Sequence, residues 1–279
     1  MIVTLPDWTS RQLRLIAAGI VVINGFFPAV WILFTSLKNE VELVKKPITY
    51  WPHNPTMQNY VQAFTDQPLL LYLGNSFAVA LLSTALTLVI ASFAAYAIAR
   101  LNLKRRKLIL TCIIASSMFP LVTLLVPIFE TMRTLDLLNT YTALVLPYTV
   151  LSLPVCTLVL VSFFQSIPKD LENAAMIDGC TRLGALWRVV VPLAAPGVFT
   201  ASILAFVNSW DEFLLALSLN SSAAMRTAPV GITLYQGEFA FPWPIISAAL
   251  IVTIVPVAVL IAIFQERVVG GLTQGGLKG

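Results

Sequence analysis

Long apolar runs alternate with short polar stretches along this chain. Six runs stand out, at about 14–36, 75–99, 107–129, 142–164, 197–219 and 245–265. A helix takes about 20 mostly apolar residues to cross the hydrocarbon core of a bilayer, and each run supplies them. Lipid offers no partner to a bare peptide group, so a crossing segment is a helix or a strand of a closed barrel. Barrel strands would alternate lipid-facing and lumen-facing residues over about 10 positions, and these runs do not alternate. The pattern predicts an all-α membrane protein of six transmembrane helices, with 1–279 forming a single transmembrane domain. Pro120, Pro127, Pro147, Pro154 and Pro256 fall inside the runs. Membrane helices tolerate proline, but two prolines in each of the third and fourth runs predict bent helices around a cavity.

One polar stretch breaks the rhythm. Residues 166–196 lie between the fourth and fifth runs and include PKDLENAAMIDGCTRLGALWRVVVPLAAPG. Pro168 suits the first turn of a helix, where its missing N–H costs nothing. Asp170 and Glu172 then fall near the positive end of the helix dipole. The helix runs to about Ile177–Asp178, and Gly179 can end it in the left-handed conformation. A second helix starts near Thr181. Its Leu183, Leu186, Trp187 and Val190 stand at i, i+3, i+4 and i+7, one apolar face, with Arg182 and Arg188 off it. Pro192 and Pro196 stop it before the fifth run. The result is a helix–glycine–helix elbow. Its first helix has few bulky side chains to insert into a leaflet, and its alanines suit close docking into a groove of another protein.

Composition agrees with the membrane reading. The chain is 58% hydrophobic and 11% charged, against about 25% charged in a soluble domain. The net charge of +4 does not indicate nucleic acid, because little polar surface remains to receive it. The bases are sorted by side. With the N-terminus inside, the inner segments hold Arg11, Arg14, Arg100, Lys104, Arg105, Arg106, Lys107, Lys169, Arg182, Arg188, Arg267 and Lys278. The outer segments hold Lys38, Lys45, Lys46, Arg133 and Arg226. This imbalance places both termini, the elbow and the tail 266–279 in the cytoplasm, and RLNLKRRK after the second run is its strongest anchor. The first run is too long for the core of a signal peptide and is expected to be a retained span. Outside, Tyr60 and Phe64 in the 37–74 segment stand at i, i+4, fitting a short interfacial helix. Residues 220–244, rich in Gly, Pro and small residues, are expected to form a loop. Cys112, Cys156 and Cys180 show no metal or disulfide spacing, and His53 is the single histidine. No metal site and no cofactor is expected.

The elbow resembles the EAA loop of ABC-importer membrane subunits, E-A-A-x(3)-D-G-A-x(8)-hydrophobic-x-L-P. Glu172, Ala174, Ala175, Asp178, Gly179, Pro192 and Leu193 fit it, while Asn173 and Cys180 stand where alanine is usual. The resemblance covers nearly the whole chain, through Asn59–Tyr60, AAYAIARL, FPLVTLLVPIF, NSWDEFLLALSL and FQERVVGGLTQGGLKG. It is nearest to the MalG-type subunits of maltose-kind carbohydrate importers, with their MetI-like fold. It implies a bacterial inner-membrane permease with four partners: a second, MalF-like permease subunit, a MalK-like ATPase dimer, an extracytoplasmic solute-binding protein and a sugar. It also implies that Glu172, Ala174, Ala175, Asp178 and Gly179 couple to the ATPase, and that the tail reaches the ATPase dimer interface. The implied substrates are di- or oligosaccharides, trehalose-like glycosides, polyols and glucosylglycerol-like osmolytes.

ATP and Mg²⁺ would sit on the partner, because no G-x(4)-G-K-[ST] loop exists here. The glycines of GGLTQGGLKG fit no such register. Asn208, Trp210, Asp211 and Glu212 interrupt the fifth run. At about 1.5 Å per residue from Pro196, Asp211 lies roughly 20 Å in. Charges at that depth face a cavity or a subunit seam, or else mark an earlier end of the span. A tryptophan beside hydrogen-bonding groups suits a sugar, with its apolar ring faces and hydroxyls. Thr233, Tyr235 and Gln236 are the candidates for contact with the binding protein. An ion-coupled secondary transporter is the alternative, with Asp211 and Glu212 as its coupling acids. An intramembrane enzyme would need a His/Asp, Ser/His or metal constellation within the runs, and the lone loop histidine makes most of those impossible.

Overall fold

The computed structural model describes residues 7–237 and 241–276, with side chains for 12, 15–237 and 241–264. Helices in chain order are α1 (Asp7–Ser36), α2 (Glu40–Leu43), α3 (Gln58–Thr65), α4 (Leu69–Arg100), α5 (Arg106–Ser117), α6 (Leu121–Thr134) and α7 (Tyr141–Ser166). Then follow α8 (Lys169–Ile177), α9 (Arg182–Ala185), α10 (Val191–Leu193), α11 (Ala195–Trp210), α12 (Leu214–Leu219), α13 (Ala228–Thr233) and α14 (Trp243–Gly276). A π-helical turn, Leu186–Val190, joins α9 to α10.

Four of the six expected spans are continuous: Leu15–Ser36, Leu69–Arg100, Tyr141–Ser166 and Trp243–Phe264. Among the described residues two further helix pairs, each bent at a short break, are apolar enough to make one span apiece, up to six in all. The third run breaks by 89° between α5 and α6, and Arg182–Leu193 meets α11 at 84°. The third break falls at Pro120, which flanks α6 in an extended conformation. That is the geometry a residue before or at a helix-starting proline prefers. Pro127, Pro147, Pro154 and Pro256 instead lie inside their helices. The fifth run, expected to reach 219, ends as a helix at Trp210 and resumes at Leu214.

The chain forms two compact units, residues 1–69 with 232–255, and 70–231 with 256–279. In the first, the segment after α1 folds back on that helix. Asn59 Nδ2 donates to the carbonyls of Ser36 (2.7 Å) and Lys38 (2.9 Å), and Ser36 Oγ meets the Tyr60 hydroxyl at 2.8 Å. Trp51 packs on Phe34 at 4.7 Å and Tyr50 on Trp31 at 6.0 Å between ring centres. Buried Lys38 donates to the Thr49 carbonyl and lies 5.2 Å from the centre of the Trp31 ring. The expected short helix is α3. Its Tyr60 is tied to α1, and Phe64 is exposed.

The second unit is built on α7 packed against α11. Gly197 permits this approach: a Cβ there would lie 2.3 Å from Cγ of Phe163. Small residues let membrane helices touch backbone to backbone where no hydrophobic force drives them together. One core joins Ala95, Tyr96, Leu160, Phe164, Leu186 and Val190; another joins Val79, Leu144, Tyr148, Leu215 and Leu219. At the rim near that second core, Asn75 Nδ2 donates to the carbonyls of Ala224 and Arg226, both at 2.9 Å. Asn139, at φ +59°, accepts from the Ser222 N–H at 2.7 Å. Residues 220–244 are therefore more than the expected loop. They hold a 3-10 turn, Ala223–Met225, and α13. The tail is helical to Gly276. Its last residues, 277–279, and Glu238–Ala240 lie outside the described residues.

Candidate functional site

The elbow forms where local signals predict it. Pro168 flanks α8. At the other end, Gly179 N–H donates to the Met176 carbonyl (3.1 Å) and Cys180 N–H to the Ala175 carbonyl (2.9 Å). This pair of bonds, with Gly179 at φ +92°, is the Schellman closure that a left-handed glycine allows. Thr181 then starts α9, its hydroxyl accepting from the Gly184 N–H at 3.1 Å, as an N-cap threonine does.

The second helix departs from expectation. Leu186 and Val190 are fully buried, but Leu183 is 58% exposed and Trp187 42%. Ala185, ahead of them, is buried as well. A π turn follows, in which Val191 N–H donates to the carbonyl of Leu186, five residues back. Trp187 meets Phe93 edge-on at 5.7 Å. Pro192 does not stop the helix. It lies within α10, past the π turn, and the turn into α11 comes at Ala194.

The coupling candidates separate into two groups. Ala174, Asp178 and Gly179 are exposed and Ala175 half-buried, beside exposed Leu171 and Ile177. Glu172 points the other way. It is buried, accepts from the Tyr96 hydroxyl and pairs with Arg100 at 3.1 Å. Arg100 also donates from Nη2 to the Ile167 carbonyl at 3.0 Å. One guanidinium therefore fastens the end of α4 to the end of α7 and to α8. In the sequence Arg100 carries only a sidedness signal, since its partner lies 72 positions on.

The second candidate is a cleft of about 780 Å³ between the broken third span, α7, α11 and α12. Ser152, Cys156, Asn208, Asp211 and Glu212 line it, with Ser117 at the α5 end. Asn208 Nδ2 donates to Ser152 Oγ at 3.2 Å. Three of the four expected path residues thus reach one cavity. Trp210 does not. It is buried, stacked 5.7 Å from Phe206, because the helix turns it away from Asn208 and Asp211. Glu212 is spent on structure. Its oxygens accept from Leu215 N–H (2.8 Å), Ala216 N–H (3.1 Å) and the Tyr148 hydroxyl (2.6 Å), closing the start of α12. Asp211 remains exposed to the cleft. Tyr148 and Ser152, two polar side chains inside an apolar run, were the signal that α7 faces this site.

Of the outer candidates, Gln236 is exposed and Thr233 half-buried. Tyr235 is buried, its hydroxyl donating to the Ala63 carbonyl, so it holds α3 rather than facing outward. Among the described residues no group of three or more His, Cys, Asp or Glu side chains could hold a metal ion.

Residues 87–273 match the family described as binding-protein-dependent transport system inner membrane component. The chain is 75% identical over 272 residues to the sulfoquinovosyl glycerol transport system permease protein SmoH of Agrobacterium fabrum, covering 98% of this chain and 95% of that one. It is 37% identical to the trehalose/maltose transport system permease protein MalG of Thermococcus litoralis, over 97% of this chain and 98% of that one. It is 39% identical to the trehalose transport system permease protein SugB of Mycobacterium tuberculosis, over 93% of this chain and 95% of that one. In fold it is similar to a chain of a bacterial ABC transporter involved in the import of the acidic polysaccharide alginate. The TM-score is 0.80 at 18% identity, over 94% of this chain and 99% of that one.

Proposed function

This chain belongs to the family of binding-protein-dependent transport system inner membrane components and is the permease subunit of a sugar ABC importer, and from that premise we propose how it works. The chain crosses the inner membrane six times, α5 with α6 forming the third crossing and α11 with α12 the fifth. Both termini and the 166–196 elbow face the cytoplasm, in keeping with the sorting of its basic residues. With a second permease subunit it encloses the sugar path, and a binding protein delivers the sugar from outside, with Thr233 and Gln236 at the point of contact. ATP and Mg²⁺ are bound by a partner ATPase dimer, into whose interface the tail extends.

The observation that carries this reading is the elbow itself. A nine-residue helix with Leu171, Ala174, Ile177 and Asp178 outward is closed by Gly179 and tied by Glu172 and Arg100 to two membrane helices. Ala174, Ala175, Asp178 and Gly179 form the docking face, while Glu172 acts from behind as a positioning residue. When the ATPase dimer closes, this rigid element carries α4 and α7 with it, and the cleft beside Asn208 and Asp211 changes its access.

The substrate is a glycoside of the sulfoquinovosyl glycerol kind. Asn208, Asp211 and Ser152 line the cleft and offer partners to hydroxyls; among the described residues its lining holds no basic side chain. The test is uptake by the reconstituted complex with its binding protein. Transport should stop when ATP is withdrawn and persist when ion gradients are collapsed; the opposite pattern would refute the reading. Gly179→Val supplies a second check. Apart from its two chain neighbours, no described atom of this chain lies within 4 Å of a Cβ at Gly179, so within the chain the left-handed backbone is what opposes a side chain, at about 1–2 kcal/mol. Valine should lower transport per ATP hydrolysed, and Gly179→Asn, which tolerates that conformation, should keep most of it.

A further inference from the structure

The turn between α4 and α5 carries four consecutive cations, Lys104, Arg105, Arg106 and Lys107. Lys104, Arg105 and Lys107 are exposed. Among the described residues none of the four has a carboxylate within 4.0 Å; the ion pairs there are those of His53, Arg100 and Arg133. Arg106 Nε is buried without a hydrogen-bond partner. The cluster stands at the start of a twelve-residue helix that has no side-chain cap and no acid in its first turn. Cations belong at the other end of a helix, since the N-terminal end already carries partial positive charge. The turn is held in place. Leu103 and Leu110 pack on the core of the second unit, and Arg106 N–H donates to the Leu103 carbonyl at 3.3 Å. It also lies at the end of a membrane helix, flanked by exposed Leu101 and Leu108.

A fixed concentration of positive charge with apolar shoulders is complementary to one chemistry: phosphate carried on acyl chains. We propose that the Lys104–Lys107 turn binds the headgroup of an anionic phospholipid. The phosphate lies against Lys104, Arg105 and Lys107 at the mouth of α5, and the acyl chains run past Leu101 and Leu108. A cation close to an anionic membrane surface is worth a factor of about five in binding. The proposal needs neither the sugar nor the ATPase reading, since it concerns a turn that both leave unused.

The test uses the complete complex in nanodiscs of phosphatidylcholine with or without phosphatidylglycerol. In the wild type, phosphatidylglycerol should protect Lys104 and Lys107 from an amine-reactive reagent, and the protection should fade with salt. Inorganic phosphate and glycerol phosphate should give none. Lys104→Gln/Lys107→Gln should weaken phosphatidylglycerol retention, counted by mass spectrometry of the purified complex, by about 25-fold. Lys45→Gln/Lys46→Gln, with the same change of charge on exposed lysines elsewhere, should not. Equal loss in both variants would overturn the proposal by showing diffuse charge attraction only. Equal protection by soluble phosphate, or protection that depends on the ATPase and not on the lipid, would overturn it in favour of a soluble anion or a protein partner. Labelling needs no variant, so the proposal stays testable even where the substitutions impair insertion.

Discussion

Glu172 in the elbow and Glu212 beside the cleft are both glutamates that the sequence puts forward as working groups, and both turn inward. Their partners differ in kind. Glu172 meets a cation, Arg100, and a phenol. Glu212 meets two backbone N–H groups and a phenol. In each case the next acid in the neighbourhood, Asp178 or Asp211, is left exposed. A carboxylate held by a long side chain from another helix joins elements that are far apart in sequence, whereas one held by its own next turn shapes a local break. The elbow is thereby fastened to the spans that must move with it, and the cleft is given a fixed wall.

The largest effect should come from breaking the elbow's anchor. The side chains of Arg100 and Glu172 are 4% and 9% exposed. Removing one partner of a buried pair strands the other charge, at a cost of about 3–5 kcal/mol. Arg100→Gln should therefore abolish assembly or lower the melting temperature of the complex sharply. Arg100→Gln/Glu172→Gln should recover a large part of the loss. A double variant no better than the worse single one would show that the pair is not coupled.

The wall of the cleft is a weaker construction. Tyr148→Phe removes one hydrogen bond to a charged group, worth about 1.5–3 kcal/mol, and leaves Glu212 its two N–H donors. Thermal unfolding in detergent should show the smaller loss. A Tyr148→Phe effect as large as that of Arg100→Gln would erase the distinction between anchor and cap. Asp211→Asn sharpens it from the other side. A surface substitution stays within about 0.5 kcal/mol, so complex yield should be unchanged while uptake falls on the order of tenfold, about 1.4 kcal/mol in the barrier.

These differences also mark how far the sequence could be read. The elbow was legible because its signals are local: a proline before α8, a glycine at its end and a threonine before α9, each acting within four residues. The existence of apolar helices was legible for the same reason. That the third run bends was legible from its two prolines; that it breaks by 89° at Pro120 was not, because hydropathy averages over a bend, and prolines inside α6, α7 and α14 look the same as the one that breaks. The π turn of the second elbow helix was hidden because one extra residue in a turn leaves composition unchanged. The inward turn of Glu172 was hidden for a different reason. Its orientation is decided by Arg100 and Tyr96, which only the packing of α4 against α7 and α8 brings near.

A third inward glutamate gives the finest test. Glu42, in the segment after α1, accepts from His53 N–H (3.0 Å) and Thr49 Oγ1 (3.1 Å) and lies 3.2 Å from His53 Nδ1. It stands between the other two in kind, since its backbone donor comes from eleven residues away and its possible cation is an imidazole. The His53 backbone N–H, ahead of the side-chain bonds, holds its carboxyl below the ordinary value of 4.5. A lowered folded value means that the stabilisation is complete above the unfolded pKa and is lost as pH falls through the folded one. The wild type should therefore lose stability relative to Glu42→Gln only below about pH 4.5, with parallel melting curves from pH 6 upward. Loss of that difference in His53→Ala, which keeps the backbone N–H, would instead make the imidazole, not the backbone N–H, the partner that matters, and would move Glu42 into the class of Glu172.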